Sequence, residues 1–402
     1  MAAILSISAA ALCAFSWMPE SRGSVAARPV APYRALLVGG GPDMEHNQVA
    51  IESNVRYLTR LLPVATPWRV LFADGNPASK NVLCQDGDKK PYYRAPEIPR
   101  IDGPSDQVHL KTELSRVASD LSSNPSGSAL LYFTGHGSPN GRSQYNNNRY
   151  DLWDNKGFSV KTFADSLKEF PKTTPIALVM VECYSGAFGN VLFQDGDPAN
   201  PLADLNICGF FASVAQRQAA GCTPEINEAN YRDFTSFFFA ALSGIDRTGH
   251  PVTGADYNHD GKVGMNEAFA YALIHDDSID TPVCTSDVFL RKFIVTPEKE
   301  VVSTPYSQVL TWASKSQHAV LDELSKYLDL SGEDRVSYAY DEFRKATDAD
   351  AQTGNPRAVH MIRFIRMAKS VILAHILQTG SDDMIKGKYS ALIQAESANP
   401  LR

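Results

Sequence analysis

The 402-residue chain is predicted to fold as an α/β protein, with a mostly parallel sheet, helices on both faces and a C-terminal all-helical extension. Three observations predict it. Short apolar runs with glycine exits recur between residues 34 and 215, helical patterns separate them, and from Thr304 onward only helical spacing remains.

The chain opens with Met1 to Pro19, which carry no charged side chain, followed by the polar stretch from Glu20 to Ala27. Residues 1–27 therefore read as a secretory signal, with the small residues Ser24 to Ala27 suited to cleavage. The usual basic start is missing, so an uncleaved anchor is the alternative. A secreted or periplasmic protein is expected. No later apolar run reaches the roughly 20 residues a membrane span needs.

Residues 30–300 carry the α/β pattern. Arg34 to Gly41 is a buried strand, Val49, Val55, Leu58 and Leu62 recur at helical spacing, and Trp68 to Phe72 is the next strand. The glycines at 39–41 lack both the Gly-x-Gly-x-x-Gly pattern and a following Gly-Lys-Ser/Thr, which argues against a nucleotide loop. Ala73 to Pro104 holds five prolines and is expected to be a surface excursion without regular elements. Asp106 to Leu121 is a helix leading into the apolar strand that ends at His136. A polar loop from Asn140 to Trp153 and a helix starting near Ser159, with Phe163, Leu167 and Phe170 on one face, lead to the strand that ends at Cys183. A right-handed crossover makes these two strands parallel. Ile207 to Ala215 supplies another strand, Phe234 to Leu242 a helix, and Val288 to Val295 an edge strand.

Residues 303–402 form the helical region. Pro305 suits a first turn, and Val309, Leu310, Ala313, Val320, Leu324 and Leu328 recur at helical intervals. Asp348 to Pro356 reads as a linker. Arg357 to Gln378 is a second strong helix, apolar at Ile362, Ile365, Val371, Ile372 and Ile376 and polar at Arg363, Arg366 and Lys369; its apolar side is wide enough for core.

A formal net charge of -7 argues against a nucleic-acid surface, which needs clustered Lys and Arg. His250, His259, His275 and His360 are scattered without the spacing of zinc ligands. Beyond the signal, Cys84, Cys183, Cys208, Cys222 and Cys284 fit one free thiol, Cys183, and two disulfides of undetermined pairing; Cys208, between apolar neighbours, is equally a small core residue.

Chemistry concentrates at two strand ends. Tyr132-Phe-Thr-Gly-His136-Gly137-Ser138 and Leu178-Val-Met-Val-Glu-Cys183-Tyr-Ser-Gly186 would bring an imidazole and a thiol to the carboxyl edge of the sheet, where parallel sheets bind ligands. Cys183 would attack a scissile carbonyl, His136 would move the proton, and the N–H groups of Gly137 and Cys183 would hold the oxyanion. These segments, with Tyr150-Asp-Leu-Trp153 between them, resemble the legumain and caspase-like clan of cysteine peptidases and are most similar to its bacterial legumain-like members. The resemblance spans roughly Arg34 to Val295. It implies a caspase-like sheet, a cysteine endopeptidase working through a His136 and Cys183 dyad, and a polypeptide substrate. Transpeptidation through the same acyl-enzyme and a catalytically silent binding protein on the same scaffold are the alternatives. Where the clan places an acidic pocket residue two before the cysteine, this chain has Val181, with Glu182 adjacent to the nucleophile. Strand alternation sends Glu182 to the opposite face, as a paired structural carboxylate or a group near the site. His46 falls where the clan often places pocket residues; Ser213 completes the expected pocket.

A second motif runs from Asp256 to Glu267. Asp256, Asn258, Asp260 and Glu267 offer side-chain oxygens at loop positions 1, 3, 5 and 12, Lys262 a carbonyl at 7, and Gly261 the bend at 6. This is the EF-hand-like spacing of a calcium loop. A plain acidic turn is the alternative, and Gly249 to Gly254 rules out an ordinary entering helix, so a bracing ion is expected rather than a paired sensor.

Overall fold

The structure, a computed structural model, describes residues 33–141, 144–345 and 354–402. The predicted signal and most of the expected linker lie outside the described residues. The central strands are β1 (Tyr33–Gly40), β2 (Trp68–Phe72), β5 (Ser128–Ser138), β8 (Ile176–Met180), β9 (Ile207–Phe211) and β10 (Val283–Cys284), hydrogen-bonded in the order β10-β9-β8-β5-β1-β2. All neighbours are parallel except β10, which runs antiparallel to β9. Two further strands, β6 (Arg149–Leu152) and β7 (Lys156–Ser159), extend the far end of β5. The fold is α/β, with the mostly parallel sheet flanked by helices, and its arrangement is consistent with a caspase-like sheet.

Leu36 to Val38 and Leu130 to Phe133 are fully buried, because a parallel sheet covered on both faces needs apolar side chains in both directions. Helix α1 (Val49–Leu61) packs on β1 and on α4 (Phe234–Ser243), while α2 (Gln107–Ser122) packs on β1 and on α3 (Val160–Leu167). Asp106, Ser159 and Asp233 cap α2, α3 and α4, each accepting the N–H three residues ahead. Loss of such a cap costs about 1 kcal/mol.

Four expectations are corrected. The stretch from Ala73 to Pro104 contains an antiparallel hairpin, β3 (Val82–Cys84) with β4 (Tyr92–Arg94), anchored where Arg94 meets the buried carboxylate of Glu52 on α1. The polar loop after Asn140 yields β6, since the overhanging end of β5 offers unpaired backbone groups to it. Val288 to Val295 is not an edge strand: Thr285–Phe293 is helix α6, and the short edge is β10. The two disulfides are absent; Cys84, Cys183, Cys208, Cys222 and Cys284 are all free, and Cys208 is a buried core residue.

Helix α5 (Met265–His275) packs against α4, and the C-terminal helices follow as α7 (Glu298–Val302), α8 (Tyr306–Trp312), α9 (Lys315–Tyr327), α10 (Arg335–Lys345), α11 (Pro356–Thr379) and α12 (Asp383–Glu396). Helix α12 lies on β9, and α11 packs on α6, α8, α9 and α10. The basic side of α11 is not a solvated stripe. Arg363 is completely buried, Arg366 bonds Asp287, and Lys369 pairs with Glu298.

Candidate active site

Strands β5 and β8 stay in register up to the Phe133–Met180 pair, and the Val181 N–H still reaches the Phe133 carbonyl at 3.0 Å. His136 and Cys183 each lie three residues beyond that pair, so the shared register carries both to the same edge. Between them the backbones touch. A Cβ on Gly137 would stand 2.2 Å from the Cys183 carbonyl oxygen and 2.6 Å from Glu182 Cγ, closer than atoms can approach.

The imidazole is held from behind. His136 Nε2 lies 3.0 Å from the His46 carbonyl oxygen and 2.9 Å from Gln48 Oε1, both acceptors. Nε2 must therefore carry the hydrogen, which leaves the lone pair on Nδ1 free to accept a proton. The His46 ring stands edge-on to it at 5.6 Å, and His46 Nδ1 meets Asp43 Oδ1 at 2.7 Å. Burial, and then the neighbouring His46, hold His136 below the usual histidine range, so the ring stays neutral.

The thiol is held by one residue. Cys183 Sγ accepts the Ala219 N–H at 3.3 Å and faces the Ala219 carbonyl at 3.6 Å. Burial pushes its pKa up to about 11, against the opposing pull of the Ala219 amide. Among the described residues no hydrogen bond joins Cys183 to His136; with the thiol raised and the imidazole lowered, both groups rest neutral. No other residue accepts the Cys183 N–H there either, which leaves it open to an oxyanion.

Local backbone presents the sulfur. Tyr184 sits in the left-handed region at φ 63°, a conformation costing a non-glycine residue about 1 kcal/mol or more, and it starts the turn Ser185–Leu192. Gly186 is required because a Cβ would lie 2.6 Å from the Ser213 carbonyl, to which its own N–H donates at 2.7 Å. Buried Asn148 ties the turn down, donating to the carbonyls of Tyr184 at 3.1 Å and Ala215 at 2.9 Å.

Of the expected pocket residues, His46 lies beside the dyad with its side chain half exposed. Val181 continues the buried core. Ser213 is fully buried, donating to the Gln218 carbonyl and meeting Thr281 Oγ1, each at 3.0 Å. Glu182 is buried but not paired: neither carboxylate oxygen has a hydrogen-bond partner, and burial raises its pKa well above the usual carboxylate range. Sequence reasoning missed Gln48, Asn148 and Ala219. Gln48 had left a signal, since it stands at the N-cap of α1, where Ser, Thr, Asp or Asn is preferred, and makes no capping bond.

In the Asp256–Glu267 loop, Asp256 accepts the N–H groups of Asp260 and Gly261, Asn258 that of Asp260, and Asp260 that of Lys262. Glu267, buried at the start of α5, accepts from Tyr257, Asn258 and Gly264 at 3.0–3.1 Å. All four side chains turn their oxygens toward the loop's own backbone. Among the described residues, no three His, Cys, Asp or Glu side chains form a group that could hold a metal ion.

Fold and site together define an α/β protein whose parallel sheet carries an imidazole and a thiol at neighbouring strand ends. No protein-family model matches the chain, and no curated protein matches it. Among the described residues, no helix is long and apolar enough to cross a membrane.

Proposed function

We propose that the protein is a cysteine endopeptidase of the legumain and caspase-like kind. The observation that carries this reading is the common register of His136 and Cys183, three residues past one paired position, with Gly137 packed against the Cys183 carbonyl. His136 Nδ1 takes the thiol proton as sulfur attacks the scissile carbonyl carbon, and a tetrahedral oxyanion forms. The free N–H of Cys183, with that of Gly137, stabilises it. The imidazolium then protonates the departing amine, leaving a thioester. Water, deprotonated by the same imidazole, hydrolyses it and releases the thiol. Because the resting thiol is neutral, proton transfer accompanies attack.

Peptide-library hydrolysis by the parent and by Cys183→Ala tests this. Loss of all turnover in the variant is expected, and cleavage at the parent rate would sink the assignment. A second reading, a binding protein on the same scaffold, draws support from the raised thiol pKa and from the absence of a bond between the dyad residues. No cleavage by the parent, with no labelling of Cys183 by a peptidyl electrophile, would favour it.

We propose in addition that the Asp256–Glu267 loop binds one calcium ion through Asp256, Asn258, Asp260, the Lys262 carbonyl and Glu267. The inward-facing oxygens support this: Asp256, Asp260 and Glu267 do not stand together as a metal group among the described residues, and the ion would draw them in, taking over acceptors that now serve backbone N–H groups. Bracing is the expected role, and secretion, where calcium is abundant, fits a weak site of roughly 10⁻⁴–10⁻³ M. Calcium that leaves the thermal midpoint unchanged would reject it.

A further inference from the structure

Helix α11 reaches the nucleophile through a chain of contacts that begins at Arg363. Its buried guanidinium donates to the Asp280 carbonyl at 2.9 and 2.7 Å, to Leu273 at 3.3 Å, to Ser278 at 3.4 Å and to Asp276, whose carboxylate stands 3.6 Å away. The end of α5 and the turn after it thus converge on one side chain. Carbonyls at a helix C-terminus lack intrahelical partners, and a planar five-donor fork suits several of them at once.

The turn held in this way presents the Asp280 carboxylate, which is fully buried. Oδ1 accepts the Ala220 N–H at 2.6 Å and Oδ2 the Phe234 N–H at 2.9 Å. Ala219, the preceding residue, is the one whose N–H rests on Cys183 Sγ at 3.3 Å. An unbroken path of short contacts therefore links the C-terminal helix to the sulfur.

We propose that Arg363 and Asp280 are positioning residues for Cys183. The guanidinium fixes the 273–280 turn, the carboxylate fixes the Ala219–Ala220 backbone, and that backbone holds the sulfur in place. The proposal rests on Cys183 as the nucleophile. It makes the C-terminal helices part of the catalytic apparatus, not an appendage.

A simpler role for each residue predicts something different. Arg363 as a mere bolt for α11 would change melting but not the thiol. Asp280 acting only as a nearby negative charge would hinder thiolate formation, so its neutralisation would speed alkylation of Cys183. Holding the Ala219 amide on the sulfur predicts the reverse, since a donated N–H favours the thiolate.

The test uses the full chain with Asp280→Asn, Arg363→Met and Arg363→Lys, measuring iodoacetamide alkylation of Cys183 at pH 8 by intact mass, with kcat and KM on a cleaved peptide. Asp280→Asn and Arg363→Met are expected to slow alkylation about fivefold and to lower kcat at least as much, with KM within about twofold of the parent; Arg363→Lys recovers most of the loss. Alkylation as fast as the parent's, or faster, in folded Asp280→Asn overturns the proposal. Should Arg363→Met not fold, the near-isosteric Asp280→Asn decides alone. Failure of the nucleophile reading is separate: Cys183→Ala would still cleave peptide, while the alkylation rates would go on reporting the positioning.

Discussion

Gly137 and Cys183 are pressed together so closely that a single methyl group at position 137 would lie 2.2 Å from the Cys183 carbonyl oxygen. The contact sets the distance between the histidine strand and the cysteine turn. Gly137→Ala must therefore push the turn away, and the neighbour is backbone, which cannot rotate aside. Activity should fall at least 100-fold, and the strain should cost about 1–3 kcal/mol of stability. Steady-state kinetics and urea melts check this; an alanine variant with parent kcat/KM would show that the packing does not place the site.

Gln48 offers a gentler probe of the same geometry. Its Oε1 is one of two acceptors on His136 Nε2, the other being the His46 carbonyl. Gln48→Ala leaves the second acceptor, so the ring keeps its tautomer but gains freedom. A drop in kcat of about fivefold to tenfold is expected, with KM nearly unchanged, against the 10²–10⁴ that a whole general base contributes. Parent-like kcat in Gln48→Ala would mean that the carbonyl alone orients the base.

The parallel pairing of the histidine and cysteine strands, and where both end, were legible in the sequence because parallel strands buried on two faces are unbroken apolar runs, and Leu130 to Phe133 and Ile176 to Met180 are such runs. Helix starts at Asp106 and Ser159 were legible for a local reason, residue types whose oxygens cap them, whereas the helix at Phe234 was legible from its apolar run alone. Non-local contacts were not. The hairpin around Val82 hangs on Arg94 finding Glu52, forty-two residues away in sequence. Val288 to Val295 was read as a strand since a short apolar run fits either period, and only packing of Phe289 and Leu290 decides for helix. Ala219, which holds the thiol, is of a residue type that announces nothing, and Gln48 left only the weak sign of an N-cap that makes no capping bond. Arg363 was misplaced to a polar stripe because helical spacing cannot tell a solvated cation from one that satisfies buried carbonyls.

The protonation states make a pH prediction. Burial raises the Cys183 thiol to about 11 and lowers His136, so near neutrality both groups are uncharged. A raised thiol carries little thiolate at pH 8, and the fraction grows about tenfold per pH unit below its pKa. Iodoacetamide alkylation of Cys183 should therefore climb from pH 8 through pH 10 without levelling off. Peptide cleavage has a different limit: it should be lost only as Nδ1 of His136 takes up a proton, below the ordinary histidine range. An alkylation plateau by pH 7 would instead reveal a preformed thiolate and imidazolium pair.

Glu182 carries a stability cost that the site does not need for proton transfer. Both of its oxygens are buried without a partner, and burial, with Asp151 adding to it, raises its pKa well above 4.5. Unfolded, the carboxyl ionises near 4.5; folded, it resists ionisation to a much higher pH. Its contribution is thus undiminished below pH 4.5, where both states are protonated, and falls as pH rises toward the folded value. Glu182→Gln removes the charge at nearly constant shape. The substitution should raise stability by about 1–3 kcal/mol at pH 8 and by little at pH 4, read from urea melts at both values. Stabilisation of equal size at both pH values would trace the effect to packing, and destabilisation at pH 8 would mean that the ionised carboxylate is paired in solution.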